Sequence, residues 1–323
     1  MNSRKWFALA LSGGALALGF AACGSDDSTS TSSGSGEGSS DLSGSIKIDG
    51  SSTVGPLTKA VSEQFNLENP DVEISVGESG TGGGFEKLCV GETAINDASR
   101  QVEPDEEKIC SENGIKFEEV TVANDALTVA LNPQNPNDCL TVDQLAQIWG
   151  PQDPATNWSD VADADSSFSE EIQKFGPGTD SGTFDYFTEA VNGEEGVQTK
   201  QYNNVGEDDN QTVTGVAGSP GGIGYFGFSF FRENPNTIKG AQIDGGDGCV
   251  APSVETVQDG TYTPLARALY IYPSGKALQE EATQAFVDFY LENSNAIGEQ
   301  IGYIGLTDEQ LTESQDKVAS LAG

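Results

Sequence analysis

An α/β protein of two lobes, each wound about its own sheet, is predicted from three observations. Strand-like segments alternate with helix-like ones along most of the chain, the pattern of doubly wound sheets. About 280 residues follow the polar N-terminal region, more than one core usually holds. Two apolar strands, 126–131 and 265–272, stand where the chain would leave one lobe and return to it. On this reading residues 45–127 with 264–323 form lobe I and 128–263 form lobe II, with a cleft between them.

The N-terminal 22 residues have the makeup of an export signal: Arg4 and Lys5, an apolar stretch from Trp6 to Leu18, then Phe20-Ala21-Ala22 before Cys23. Small residues directly before a cysteine match a bacterial lipobox, with Phe20 where an aliphatic residue is usual, so Cys23 is the expected lipidation site. Residues 24–44 are mostly Ser, Gly, Thr and Asp and have nothing to bury, which makes 23–44 a lipidated cysteine followed by a flexible tether. Its root-mean-square reach is roughly 25 Å.

A strand over 45–49 leads to a helix over 55–67, where Leu57, Val61 and Phe65 recur at i, i+4 and i+8. Residues 72–76 alternate as a strand, and 82–90 form a helix with Phe85, Leu88 and Cys89 inward. A short strand at 94–96 runs into Asp97-Ala98-Ser99-Arg100, and 104–112 make a helix opened by Pro104 and acids. After strand 126–131, the Asn-Pro-rich stretch 132–138 crosses into the second lobe. Thr141 with Gln144 forms a capping box for a helix ending at Trp149, and 151–169 is polar loop. A helix opens at Ser181, another covers 208–216, and 221–225 is a buried strand or tight turn. The return strand 265–272 precedes two amphipathic helices, 274–291 and 308–321.

Composition narrows the function. The signal carries two of the 15 basic residues and none of the 51 acidic ones, so the exported chain is strongly anionic. Nucleic acid and anionic membrane surfaces are poor partners for it. An anion ligand would have to be held by short-range donors and a local cation. Histidine is absent altogether, which removes the usual base of a serine hydrolase and the commonest transition-metal ligand, so neither a metal nor another cofactor is expected. A Ser181–Lys174 dyad is the one hydrolytic arrangement left. Four cysteines in an exported body argue for two disulfides, of three connectivities. The favoured set is Cys89–Cys110, joining neighbouring helices, and Cys139–Cys249, closing a long loop.

Three Gly- and hydroxyl-rich runs occupy strand-to-helix turns: Asp49-Gly50-Ser51-Ser52-Thr53-Val54-Gly55-Pro56, Ser79-Gly80-Thr81-Gly82-Gly83-Gly84-Phe85 and Gly176-Pro177-Gly178-Thr179-Asp180-Ser181-Gly182-Thr183. First-turn amides lack helical partners and the helix dipole is positive there, so each turn is an anion-binding mouth. Three that converge would enclose one small oxyanion. The arginines beyond the signal are Arg100, Arg232 and Arg267. Arg100 ends a strand, where its planar fork could meet two oxygens. Arg232 beside Glu233, and Arg267 within an apolar strand, read as structural.

Together with Gly221-Gly222-Ile223-Gly224-Tyr225, these motifs resemble the extracytoplasmic phosphate-binding protein of the bacterial ABC phosphate importer, the PstS type, over about 45–305. The resemblance implies a type II periplasmic-binding fold, with two doubly wound sheets joined by a two-strand hinge. It further implies closure of the lobes over inorganic phosphate without a metal, and delivery to the permease subunits of the importer by a monomeric lipoprotein anchored outside the cytoplasmic membrane. Sulfate and molybdate are the alternative tetrahedral guests. Carried over by position, Ser52 and Thr53, Thr81 and Gly82, Ser99, and Ser181-Gly182-Thr183 line the ligand. Many members have Asp where Arg100 stands and Arg where Pro177 stands, so Arg100 is expected to take over the charge balance. Asp180 and Asp97 are the candidates for the carboxylate that accepts the phosphate's proton.

Overall fold

The computed structural model describes residues 42–322; the signal, Cys23 and nearly all of the tether lie outside them. The chain opens with β1 (Gly44–Gly50), α1 (Gly55–Glu68), β2 (Val72–Val76), α2 (Gly80–Leu88), β3 (Ile95–Ala98) and α3 (Pro104–Glu112). Pro56 presets the first turn of α1, and Leu57, Val61 and Phe65 share its buried face. Strand β4 (Val120–Leu131) begins six residues before the expected 126 and is twelve residues long. The early part was hidden by the polar pair Asn124-Asp125, which interrupts the apolar run.

Next come β5 (Cys139–Thr141), α4 (Val142–Trp149), a 3-10 turn at Trp158–Asp160, β6 (Gln173–Gly176) and α5 (Gly182–Asn192). Thr141 and Gln144 cap α4 reciprocally, at 3.1 and 2.9 Å. Then follow β7 (Asn203–Asn204), α6 (Asp209–Gly218), β8 (Gly222–Gly227), α7 (Phe228–Glu233), β9 (Lys239–Gly240), β10 (Gln242–Asp244), β11 (Cys249–Val250) and α8 (Val254–Gln258). The chain closes through β12 (Ala266–Pro273), α9 (Glu281–Gln300) and α10 (Asp308–Ala322). The helix expected over 274–291 therefore starts later and runs further. The amides of Ser274 and Gly275 are bonded to Ala94 O and Lys116 O, so this segment is tied to its neighbours rather than coiled. Beyond Leu291, buried Ser294 and Gly298 keep α9 packed although its sequence turns polar.

The main sheet runs β2-β1-β3-β12-β4-β8-β6-β7, with β9 also on β4. Its flanks are parallel groups: β1 with β2 and β3, and β6 with β7 and β8. The two crossing strands, β4 and β12, are antiparallel to each other and link the groups into one path. Their opposite senses follow from a chain that leaves one half and later returns. Two cores result. Val120 and Val122 of β4 pack with Ile48, Phe65, Ile271 and Phe286, whereas Val129 and Leu131 of the same strand pack with Trp149, Phe187 and Tyr225. One strand thus ties both cores together. Disulfides join Cys89 to Cys110 and Cys139 to Cys249.

Candidate functional site

Turns after β1, β2, β3 and β6 meet at one cavity of about 290 Å³. The β1–α1 turn contributes Ser51, Ser52 and Thr53. Its path is fixed by close backbone packing: Ser51 N–H donates to Asp97 O at 2.8 Å, and Gly50 has φ +141° with Asp97 O where any side chain would begin. Thr53 N–H donates to Ser51 Oγ at 3.1 Å, and the Tyr303 hydroxyl donates to Thr53 O.

The start of α2 contributes Thr81, Gly82 and Gly83, preceded by Ser79 and Gly80. Asp49 holds this mouth in place, accepting from Ser79 N at 3.0 Å and Ser79 Oγ at 2.6 Å while paired with Lys87. Thr81 Oγ1 accepts from Ser99 N at 3.2 Å, which brings the turn after β3 alongside. From the other half comes Gly182, at the N-terminus of α5. A Cβ added there would lie 3.2 Å from Thr53 Oγ1 and 3.8 Å from Ser52 Oγ, so the two halves touch at this point. Asp185 N–H bonds back to Ser181 O at 3.1 Å, and the amides ahead of it are the first-turn donors of α5.

Ser52, Thr53, Thr81, Gly82, Ser99, Arg100 and Gly182 all border the cavity; Ser181, Thr183, Asp180 and Asp97 are not among its lining residues. Ser181 is instead the buried N-cap of α5, in extended conformation. Lys174 donates to Ala155 O at 2.9 Å, and no bond joins it to Ser181 among the described residues. Asp180 is exposed. Among the described residues the fully buried Asp97 carboxyl has no hydrogen-bond partner, and burial pushes its pKa up to about 8, with Asp49 and Glu78 adding to the effect. Only its backbone oxygen serves the site. Neither proton-acceptor candidate from the sequence therefore faces the cavity. Asp185, Glu189 and Glu195 do. Burial raises Asp185 to about 6, and Glu195 pushes in the same direction.

The placement of the arginines also differs from expectation. Arg100 reaches the cavity, but Glu106 takes its fork in two bonds at 2.9 and 2.8 Å, Gln101 O accepts at 3.0 Å, and Glu103 lies 3.3 Å from Nε. Arg267, expected to be structural, borders the cavity and donates to Thr53 Oγ1 at 2.9 Å. Its Nε lies 3.5 Å from Asp125 Oδ2, and its Cζ stands 3.6 Å above the Tyr186 ring. A lone cation in an otherwise apolar return strand was the available signal; the apolar context obscured it. Among the described residues, no group of acidic or cysteine side chains could hold a metal ion.

Residues 35–294 match the PBP superfamily domain. The chain is 41% identical over 279 residues to Protein SphX of Synechococcus elongatus, covering 85% of this chain and 81% of that protein. It is 37% identical over 283 residues to the Phosphate-binding protein PstS of Staphylococcus saprophyticus, covering 87% of this chain and 86% of the relative. A crystal structure of a possible phosphate binding protein from Planctomyces limnophilus superposes with a TM-score of 0.83 at 38% identity, covering 88% of this chain and all of the other.

Proposed function

Because the chain belongs to the PBP superfamily, as a relative of the PstS and SphX proteins, we propose that it captures inorganic phosphate outside the cytoplasm and delivers it to the permease of an ABC importer. The observation that carries this reading is the meeting of anion-binding turns from both halves at one small cavity, with Gly182 against Thr53. Amides of the α2 and α5 first turns and the hydroxyls of Ser52, Thr53, Thr81 and Ser99 replace the water shell of the guest. The halves act as lobes, 45–127 with 264–323 and 128–263, that close about β4 and β12. Binding without turnover is the activity this reading assigns, supported by a Lys174 that donates to Ala155 O instead of Ser181 and by a sequence without histidine.

Asp185 is the carboxylate that accepts the proton of a phosphate monoanion or dianion. A sulfate dianion has no proton to offer and meets like charge instead. The monomer is held at the membrane through a lipidated Cys23, on the tether that follows. Calorimetric titration with phosphate, sulfate, molybdate and arsenate tests the reading. Saturable, one-to-one phosphate binding at least a hundredfold tighter than sulfate is expected; tighter sulfate or molybdate binding would reject the ligand and keep the fold.

A further inference from the structure

Two arginines border the cavity, and the bonds they already make separate their roles. Arg100 is already engaged: with Glu106 in a bidentate pair of hydrogen bonds and Glu103 beside Nε, one positive charge faces two negative ones. That cluster adds no net positive charge for an oxyanion. Arg267 is differently placed. Asp125 Oδ2 lies 3.5 Å from its Nε and Asp185 on the cavity wall also feels its charge, but no carboxylate takes its fork in two short hydrogen bonds as Glu106 takes that of Arg100 among the described residues. Among the described residues, Arg267 Nε is buried and makes no hydrogen bond, with Asp125 Oδ2 at 3.5 Å, while Nη2 donates to Thr53 Oγ1. Tyr186 covers one face of the guanidinium, so the remaining donors project from its edges, in the plane suited to a tetrahedral oxyanion.

The position carries a second consequence. Arg267 and Asp125 are direct cross-strand partners on β12 and β4, the strands that connect the two cores. Thr53 comes from the turn before α1, and Tyr186 from α5, whose hydroxyl also donates to Pro264 O at 2.9 Å just ahead of β12. One planar cation therefore touches both halves and the crossing strands at once.

We propose that Arg267, and not Arg100, supplies the positive charge that balances the bound oxyanion, and that by bridging Thr53 and Tyr186 it couples binding to the approach of the two halves. The inference rests on the phosphate-capture reading and adds the residue that makes capture possible in so acidic a protein. A buried cation with free donors is worth most where water is excluded, whereas a cation already paired twice would have to break those pairs first.

The test is calorimetry on the full-length chain and on Arg267→Ala, Arg267→Lys and Arg100→Ala, at low and high ionic strength. Arg267→Ala is expected to weaken phosphate binding at least a hundredfold and to flatten its dependence on salt. Arg267→Lys, which restores the charge without the planar edge, should lose about tenfold, and Arg100→Ala less than threefold. Phosphate binding by Arg267→Ala within threefold of wild type, or a loss confined to Arg100→Ala, would overturn the inference and leave the phosphate reading intact. Should Arg267→Ala fail to fold by circular dichroism, Arg267→Lys decides, and an unchanged affinity there overturns it. If the wild type binds another oxyanion, the phosphate reading fails and the same variants are scored with that anion. If it binds none, both fail.

Discussion

Gly182 is where a single methyl group should separate stability from binding. In this structure a Cβ at that position would stand 3.2 Å from Thr53 Oγ1, tighter than ordinary contact, and Thr53 is itself held by Arg267 and Tyr303. Gly182→Ala must therefore shift the α5 mouth or Thr53 by a few tenths of an ångström. Overpacking of this kind costs about 1 kcal/mol, and the branched side chain of Gly182→Val about 3 kcal/mol. If the contact forms only when the halves approach, the cost falls on the bound state, so phosphate affinity should drop about fivefold for Ala and more than a hundredfold for Val. Within α5 the same replacement removes glycine's backbone entropy cost, so the Tm of the unliganded Ala variant should hold or rise. Calorimetry with phosphate and thermal unfolding without it are the two assays. Wild-type affinity in both variants would refute the idea that the halves close on each other here.

Asp97→Asn should raise Tm at pH 8 more than at pH 5. The buried carboxyl has its pKa raised to about 8, so the fold binds a proton that the unfolded chain releases near pH 4; stability falls as pH rises from about 4 to 8, and the amide removes that slope. An equal change at both pH values would contradict this account. Asp185→Asn should lower the preference for phosphate over sulfate at least tenfold at pH 7.5, where a carboxyl raised to about 6 is ionised. An unchanged ratio in competitive titration would remove Asp185 from discrimination. Replacing Cys139 and Cys249 by Ser opens a loop of 110 residues, for which the chain-entropy estimate is about 4.7 kcal/mol. Guanidinium unfolding should show a loss of about 2–5 kcal/mol with phosphate affinity kept within twofold; wild-type unfolding would show that the bridge adds nothing.

The local elements were legible where periodicity and punctuation agreed. Leu57, Val61 and Phe65 announced α1, and Thr141 with Gln144 announced the cap of α4. The turns that border the cavity were legible for the same reason: Gly50-Ser51-Ser52-Thr53 and Gly80-Thr81-Gly82 announce a strand-to-helix turn in adjacent residues. Elements set by distant partners were not. The early half of β4 has Asn124 and Asp125 where an apolar residue would mark a strand, yet Asn124 N–H pairs with Ile304 O and Asp125 with Arg267.

By itself the sequence determined the α/β alternation, the strand-to-helix turns with their unpaired amides, and the exclusion of histidine chemistry, because each depends on residues within a few positions of one another. Tertiary structure alone decided where the charged groups stand around the cavity. Arg100 paired with Glu106 six residues away, Asp97 was turned into the interior, and Arg267 came to rest against Thr53, 214 residues distant in the chain. Whether a charged group is free, paired or buried depends on what surrounds it in space, and no run of neighbouring residues encodes that.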